Sequence, residues 1–193
     1  MKKLLLVLFV FVGISAHAQG LSFYKNLFWK QMASTCTGEI TWEKAVSDPQ
    51  IDHPKVVQAR LYKIDCQRGL VRCDGQVDNL PWEEFSYLFQ YDFENPYLAP
   101  LLEVQQTDSG LTVRPKADES SAALQFLHFK IKNGLLSHAE VNVKKQNTLY
   151  ELNVHTIVKF DEAGHYISHE THTFTDVMLG SAVQTLIQGT IWK

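Results

Sequence analysis

The sequence predicts a mainly β (α+β) fold, an antiparallel sheet with one apolar face that is covered by two or three short helices. Three observations carry this. Over the C-terminal half, apolar and polar residues alternate in long runs separated by glycine-bearing turns, the period-two signature of half-buried strands. Aromatic residues at helical spacing cluster in two short stretches, around Phe23 and around Trp82. No repeat, low-complexity tract or long linker interrupts the 193 residues, so residues 19–193 read as a single domain.

The first eighteen residues are set apart from that domain. Lys2 and Lys3 precede the apolar run Leu4 to Ile14 and then Ser15-Ala16-His17-Ala18, the order of a secretory signal peptide cleaved after Ala18. The run is shorter than the ~20 residues a membrane-spanning helix needs. The mature chain is therefore expected to be exported and soluble, at most peripheral to a membrane. No cysteine follows the cleavage point, so no N-terminal lipid anchor is expected.

Ser22 can cap a helix over Phe23 to Ala33, where Tyr24, Leu27, Phe28 and Gln31-Met32 share a face. A second helix starts at Pro81, with Glu83 and Glu84 in its first turn and Trp82, Phe85, Leu88 and Phe89 on one side. A third is signalled by the capping-box spacing Ser181-Ala-Val-Gln184, with Val183, Leu186 and Ile187 apolar and Gly189 as its stop. Strands are expected over 56–66, 70–77, 101–107 and 111–114, each rich in β-branched or alternating residues.

Four longer strands follow, at 124–132, 135–144, 149–160 and 165–176. They are joined by turns at Asn133-Gly134, Lys145 to Thr148 and Asp161 to Gly164. Pairing Ile131 with Leu135, Val143 with Tyr150 and Phe160 with Tyr166 gathers Leu127, Phe129, Ile131, Leu135, Ala139, Val141, Val143, Leu152, Val154, Val158 and Phe160 on one face. That face must be buried or lined by ligand. The opposite face is polar, with Lys130, Glu140, Asn142, Glu151, Asn153, Lys159 and Thr171.

The stretch His165-Tyr-Ile-Ser-His-Glu-Thr-His172 resembles a zinc-binding helix only superficially. Its threonines and the preceding turn favour a strand, and His169-Glu-Thr-His172 is one residue short of the H-E-x-x-H spacing. In a strand His165 and His169 point to one face and His172 to the other. The same register predicts a row of imidazoles on the polar face: His128 opposite His138, His138 opposite His155, and His169 diagonal to His155. These four are the candidate metal ligands of a secondary reading, in competition with an ordinary solvated sheet face.

No nucleophile elbow, phosphate-binding glycine loop or spaced acid pair occurs, so no catalytic residue and no cofactor is expected. A formal net charge of −3 lacks the basic footprint of a nucleic-acid binder. Of the three cysteines, Cys66 and Cys73 are expected to pair across the turn at Arg68-Gly69, leaving Cys36 alone.

Several segments together resemble the outer-membrane lipoprotein carrier (LolA/LolB-like) family. They are Gly38-Glu-Ile-Thr-Trp42, Val71-Arg-Cys-Asp-Gly75, Gly110-Leu-Thr-Val-Arg-Pro-Lys-Ala117, Leu124 to Ile131, Asn133-Gly-Leu-Leu136 and Asn147 to Leu152. The resemblance covers roughly residues 37–155. It implies an incomplete antiparallel β-barrel in the periplasm whose apolar inner face holds lipid or lipoprotein acyl chains, with envelope proteins as further partners. The residues it would place against an acyl chain are Leu127, Phe129, Ile131, Val141, Val143, Leu152 and Val154 from the sheet, with Trp82, Phe85, Leu88 and Phe89 from the covering helix. The chain departs from the family in two places. His53-Pro54 is the nearest match to the arginine that precedes proline in an early strand and latches the cover, and the last hairpin, from Phe160 onward, differs from the family's and carries histidines of its own. Two other classes stand beside the carrier: a non-catalytic envelope domain that binds another protein, and a metal-binding protein using the histidine row.

Overall fold

A computed structural model describes residues 20–34, 39–47, 55–65, 69–77, 85–117, 123–146, 150–177 and 183–192. The expected signal peptide, Cys36, His53-Pro54, Cys66 and Trp82 lie outside them. The chain runs through helix α1 (Leu21–Ser34) and strands β1 (Glu39–Ser47), β2 (Lys55–Asp65) and β3 (Gly69–Arg72). It continues through β4 (Leu102–Thr107), β5 (Gly110–Pro115), β6 (Leu124–Lys132), β7 (Leu135–Gln146), β8 (Tyr150–Phe160), β9 (Tyr166–Val177) and β10 (Val183–Trp192). The strands form one ten-stranded antiparallel sheet in the order β3-β2-β1-β10-β9-β8-β7-β6-β5-β4. It is curved and does not close into a barrel, because β3 and β4 remain as edges.

The expected meander from β6 to β9 is present with ends within two residues of those read from the alternation. Asn133 (φ 54°) and Gly134 (φ 77°) make the tight β6–β7 turn, both in the left-handed region that a two-residue hairpin requires. The third expected helix is instead β10. Val183, Thr185, Ile187, Thr190 and Ile191 are β-branched, and pairing with β1 on one side and β9 on the other satisfies the strand's backbone groups twice over. The local capping signal at Ser181 is outweighed by two long-range ladders. The second expected helix is described from Phe85, where the helical residues Phe85 and Ser86 pass into the 3₁₀ turn Tyr87–Phe89.

Helix α1 has fourteen residues, too few to be stable alone in water. It is held by its buried stripe Leu21, Tyr24, Phe28, Gln31 and Met32. Tyr24 stacks on Phe129 of β6 at 4.9 Å. Phe28 meets Phe85 at 5.4 Å, Phe89 at 5.3 Å and Phe160 at 5.6 Å, all edge to face. Each such ring contributes ~1.5–3 kcal/mol by burial and each well-set pair ~0.5–1.5 kcal/mol more. The segment between the two edge strands thus shares one aromatic layer with α1, and that layer covers the apolar side of the sheet.

Candidate binding site

The inner face follows from strand parity. Leu127, Phe129, Val141, Val143 and Val154 are fully buried, Ile131 packs partly buried against the core, and Leu152 is half-buried. From the cover, Phe85 and Leu88 are buried and Phe89 is half-buried against Phe129 at 5.9 Å. Most of the described residues named for acyl-chain contact share one core cluster, Leu127, Phe129, Val141, Val143, Phe85 and Leu88 among them, and α1 meets that cluster through Tyr24 on Phe129 and Phe28 on Phe85 and Phe89. That helix holds the centre of the interior, a place the sequence reading assigned to the Trp82–Phe89 helix.

One polar residue fastens α1 down. Gln31 Nε2 donates to the carbonyl of Leu136 at 2.9 Å and to that of Gly164 at 3.0 Å, while Oε1 accepts from the Leu136 amide at 2.7 Å. A single buried amide thereby ties the last turn of the helix to the start of β7 and to the β8–β9 turn. Beside this clamp a recess of about 410 Å³ is walled by Leu135, Leu136, Phe160 and Ile167. The Lys132–Glu162 ion pair, 2.6 Å long, lies at its rim. In the sequence Gln31 was visible as a polar member of an apolar helical stripe, but its partners are more than a hundred residues away.

The registers differ from those expected, and the consequences depend on whether the shift is even or odd. His128 lies opposite Glu140 and Lys130 opposite His138, while His155 lies opposite Asn142. These are slips of two and four residues, which preserve the faces but change every partner. Between β8 and β9 a bulge at Ile167 shifts the ladder by one, so Phe160 pairs with Tyr166 but Lys159 pairs with Ser168. An odd shift inverts the face. His169 and Thr171, expected on the polar side, are buried in the core, and His172 takes the outer position opposite His155. The predicted His128–His138–His155–His169 row is corrected accordingly.

The outer face instead holds one carboxylate between two imidazoles. His138 Nε2 donates to Glu140 Oε2 at 3.0 Å and His155 Nε2 donates to Glu140 Oε1 at 2.7 Å. Partial burial pushes the Glu140 carboxyl up, but the hydrogen bonds from His138 and His155 outweigh it and hold the group below the usual carboxylate range. His128 is hydrogen-bonded to Thr112 at 3.0 Å, and partial burial lowers its pKa. Because the two rings bind opposite oxygens, the carboxylate keeps them apart. Among the described residues no three His, Cys, Asp or Glu side chains are grouped to hold a metal ion. Calorimetric titration with zinc is expected to show only the weak binding of surface histidines. A stoichiometric site abolished by His138→Ala and His155→Ala would reverse this.

His165 takes a third role, in the β8–β9 turn, where its backbone amide and that of Ala163 both donate to Asp161 Oδ1. Cys73 is a free, exposed thiol whose amide bonds to the carbonyl of Leu61. The β2–β3 ladder closes at Asp65–Gly69, and Cys73 follows the end of β3. Cys66, its expected disulfide partner, lies outside the described residues.

The far side of the interior is polar. Tyr166 and His169 are joined at 2.5 Å from phenol to Nδ1, and the buried Thr156 and Thr171 hydroxyls meet at 3.1 Å. Trp42 lies on His169 with ring centroids 4.1 Å apart. Burial lowers the pKa of His169 to about 3, which makes stability pH-dependent. The unfolded chain takes up the proton near pH 6.5 and the folded one does not, so stability is full above that value and falls as pH decreases toward 3. Between pH 7 and pH 5 this one residue is expected to cost about 2 kcal/mol. Urea denaturation of wild type and His169→Phe at the two pH values measures it, and equal pH slopes would show that His169 is protonated in the fold.

No family model matches the chain, and no curated protein matches it.

Proposed function

We propose that the protein is an exported, periplasmic carrier or binder of a lipid or lipoprotein acyl chain, taken up between the inner face of the sheet and its aromatic cover. The observation that carries this reading is the construction of the cover. A curved, open sheet presents Leu127, Phe129, Val141, Val143 and Val158 to one short helix and one short segment. Both are held by side-chain packing, and the helix also by the Gln31 clamp. Apolar surface of this kind retains an acyl chain without specific contacts, since each methylene moved out of water contributes ~0.8 kcal/mol. Release of Gln31 lifts the last turn of α1 beside the Leu135–Ile167 recess, and the chain enters where Phe28 and Met32 are displaced. No side chain here is asked to do chemistry.

A fluorescent fatty acid or lipopeptide is expected to bind wild type. Phe129→Glu is expected to abolish binding, because an unpaired carboxylate in an apolar interior costs several kcal/mol or stays protonated. His155→Ala, on the opposite face, should bind as wild type does. Native mass spectrometry of protein taken from its own envelope fraction should show a co-purifying lipid. If wild type binds no lipid by either measurement, the carrier reading falls and an envelope protein-interaction domain takes its place.

A further inference from the structure

The interior is chemically uneven. On β5 to β7 the described interior residues are apolar, with Leu111, Val113, Leu127, Phe129, Ala139 and Val141 buried in the core, and on β8 Val158 continues that surface. Toward β9 and β1 it carries hydrogen-bonding groups: Thr156, Thr171, Tyr166, His169 and Trp42, all at most 2% exposed. Two of these groups are unsatisfied. His169 Nε2 and Trp42 Nε1 are buried without a hydrogen-bond partner.

Both are donors. The Tyr166 phenol and His169 Nδ1 lie 2.5 Å apart, and a phenol that donates across this contact makes Nδ1 the acceptor. An imidazole that accepts at Nδ1 and is neutral carries its proton on Nε2. The indole Nε1 of Trp42 is a donor only. Among the described residues the interior therefore holds two N–H groups and offers them no acceptor.

Backbone geometry brings these rings together. Trp42 on β1 is opposite Gly189 on β10, and Gly189 is opposite His169 on β9. Glycine has no side chain to separate the residues on either side of it, so rings two strands apart come within 4.1 Å. A buried unpaired donor costs ~1–3 kcal/mol. Two of them bias the covered state toward anything that supplies an acceptor.

We propose that Trp42 and His169 form a polar anchor at one end of the interior, binding the carbonyl oxygen of an uncharged acyl ester or amide whose hydrocarbon chain lies along β5 to β8. This inference rests on the carrier reading and makes it specific. Cargo is held by one oxygen and many methylenes, and an acyl ester is separated from a bare hydrocarbon. Gly189 belongs to the same device, because a side chain there would come between the two rings.

Two fluorescent probes test it: the methyl ester of an anthroyloxy fatty acid, and diphenylhexatriene, which has no oxygen. His169→Phe and Trp42→Phe are each expected to weaken the ester by about tenfold, the scale of one buried hydrogen bond, while diphenylhexatriene binds as to wild type. In wild type the Trp42 indole N–H proton resonance should move downfield with the ester and stay in place with the hydrocarbon, a readout that needs no variant to fold. If wild type binds both probes and the variants lose neither, as they would if a buried water satisfies both donors, the anchor is wrong and the carrier stands. An unmoved indole resonance at saturating ester overturns the anchor in the same way. If wild type binds neither probe, the carrier reading falls and the anchor falls with it.

Discussion

Gly110→Ala is expected to cost ~4 kcal/mol or more, a large part of the stability of an ordinary domain. Gly110 opens β5 directly after the β4–β5 turn, with φ at +141°, a value that side-chain-bearing residues rarely adopt. A Cβ added there would stand 1.9 Å from the carbonyl oxygen of Phe129 and 3.1 Å from Cα of Lys130. The obstacle is backbone of a central element rather than the end of a flexible side chain. Relief requires β5 to separate from β6, which breaks the Gly110–Lys130 and Leu111–Phe129 pairings. Phe129 is also the ring on which Tyr24 and Phe89 stack, so the strain reaches the cover. Urea denaturation monitored by circular dichroism measures the effect, and a loss below about 1 kcal/mol would show that the strand yields without cost.

Gln31→Leu is expected to destabilise by about 3–5 kcal/mol and to do so locally. The substitution keeps the size of the side chain but leaves the Leu136 amide, the Leu136 carbonyl and the Gly164 carbonyl without their partner. Each orphaned buried group costs ~1–3 kcal/mol unless water reaches it. Water reaches them only if the last turn of α1 lifts, so the variant exchanges a desolvation penalty for an open helix end. Hydrogen exchange at the Leu136 amide should accelerate strongly, while amides of β7 further along the strand, such as Val141, keep their protection. Under the carrier proposal the same variant also takes up a fluorescent fatty acid faster than wild type. Unchanged exchange at Leu136 would mean that Gln31 does not hold the helix.

The pH dependence attached to His169 and the clamp at Gln31 share a physical origin. Each is a polar group placed inside an aromatic layer. Gln31 is fully satisfied there and acts as a lock. His169 is satisfied on one side only and keeps its second nitrogen bare. The outer-face Glu140, held by His138 and His155 in partial contact with solvent, also loses its contribution as pH falls, but at lower pH than His169. Its carboxyl lies below the ordinary value, so its stabilisation is present above pH ~4.5 and is lost only under stronger acid.

Much of the molecule was legible in local pattern. Alternation over residues 124–176 located β6 to β9 and separated the inner residues Leu127, Phe129, Val141 and Val154 from the outer His128, His138 and His155, because side-chain direction in a strand has a strict period of two. Helical spacing located α1, and Asn133-Gly134 located its hairpin. What local pattern leaves open is how far each strand slides against its neighbour. The bulges in the β6–β7 ladder and at Ile167 are chosen by the fit of whole strands. A shift by one residue was enough to exchange His169 for His172 between core and surface.

Ser181 to Gly189 shows the same division. Its residues are compatible with a helix or a strand by propensity alone, and only the vacant place between β1 and β9 makes it β10. The sequence by itself determined which stretches are strands in the second half, which of their residues are apolar on one side, and that an aromatic helix lies near the start. Tertiary structure alone decided that α1 fills the interior, that Gln31 reaches Leu136 and Gly164, and that Trp42 meets His169 across Gly189. Those contacts join residues separated by more than a hundred positions, where the free energy belongs to the assembled sheet and leaves no periodic trace in the chain.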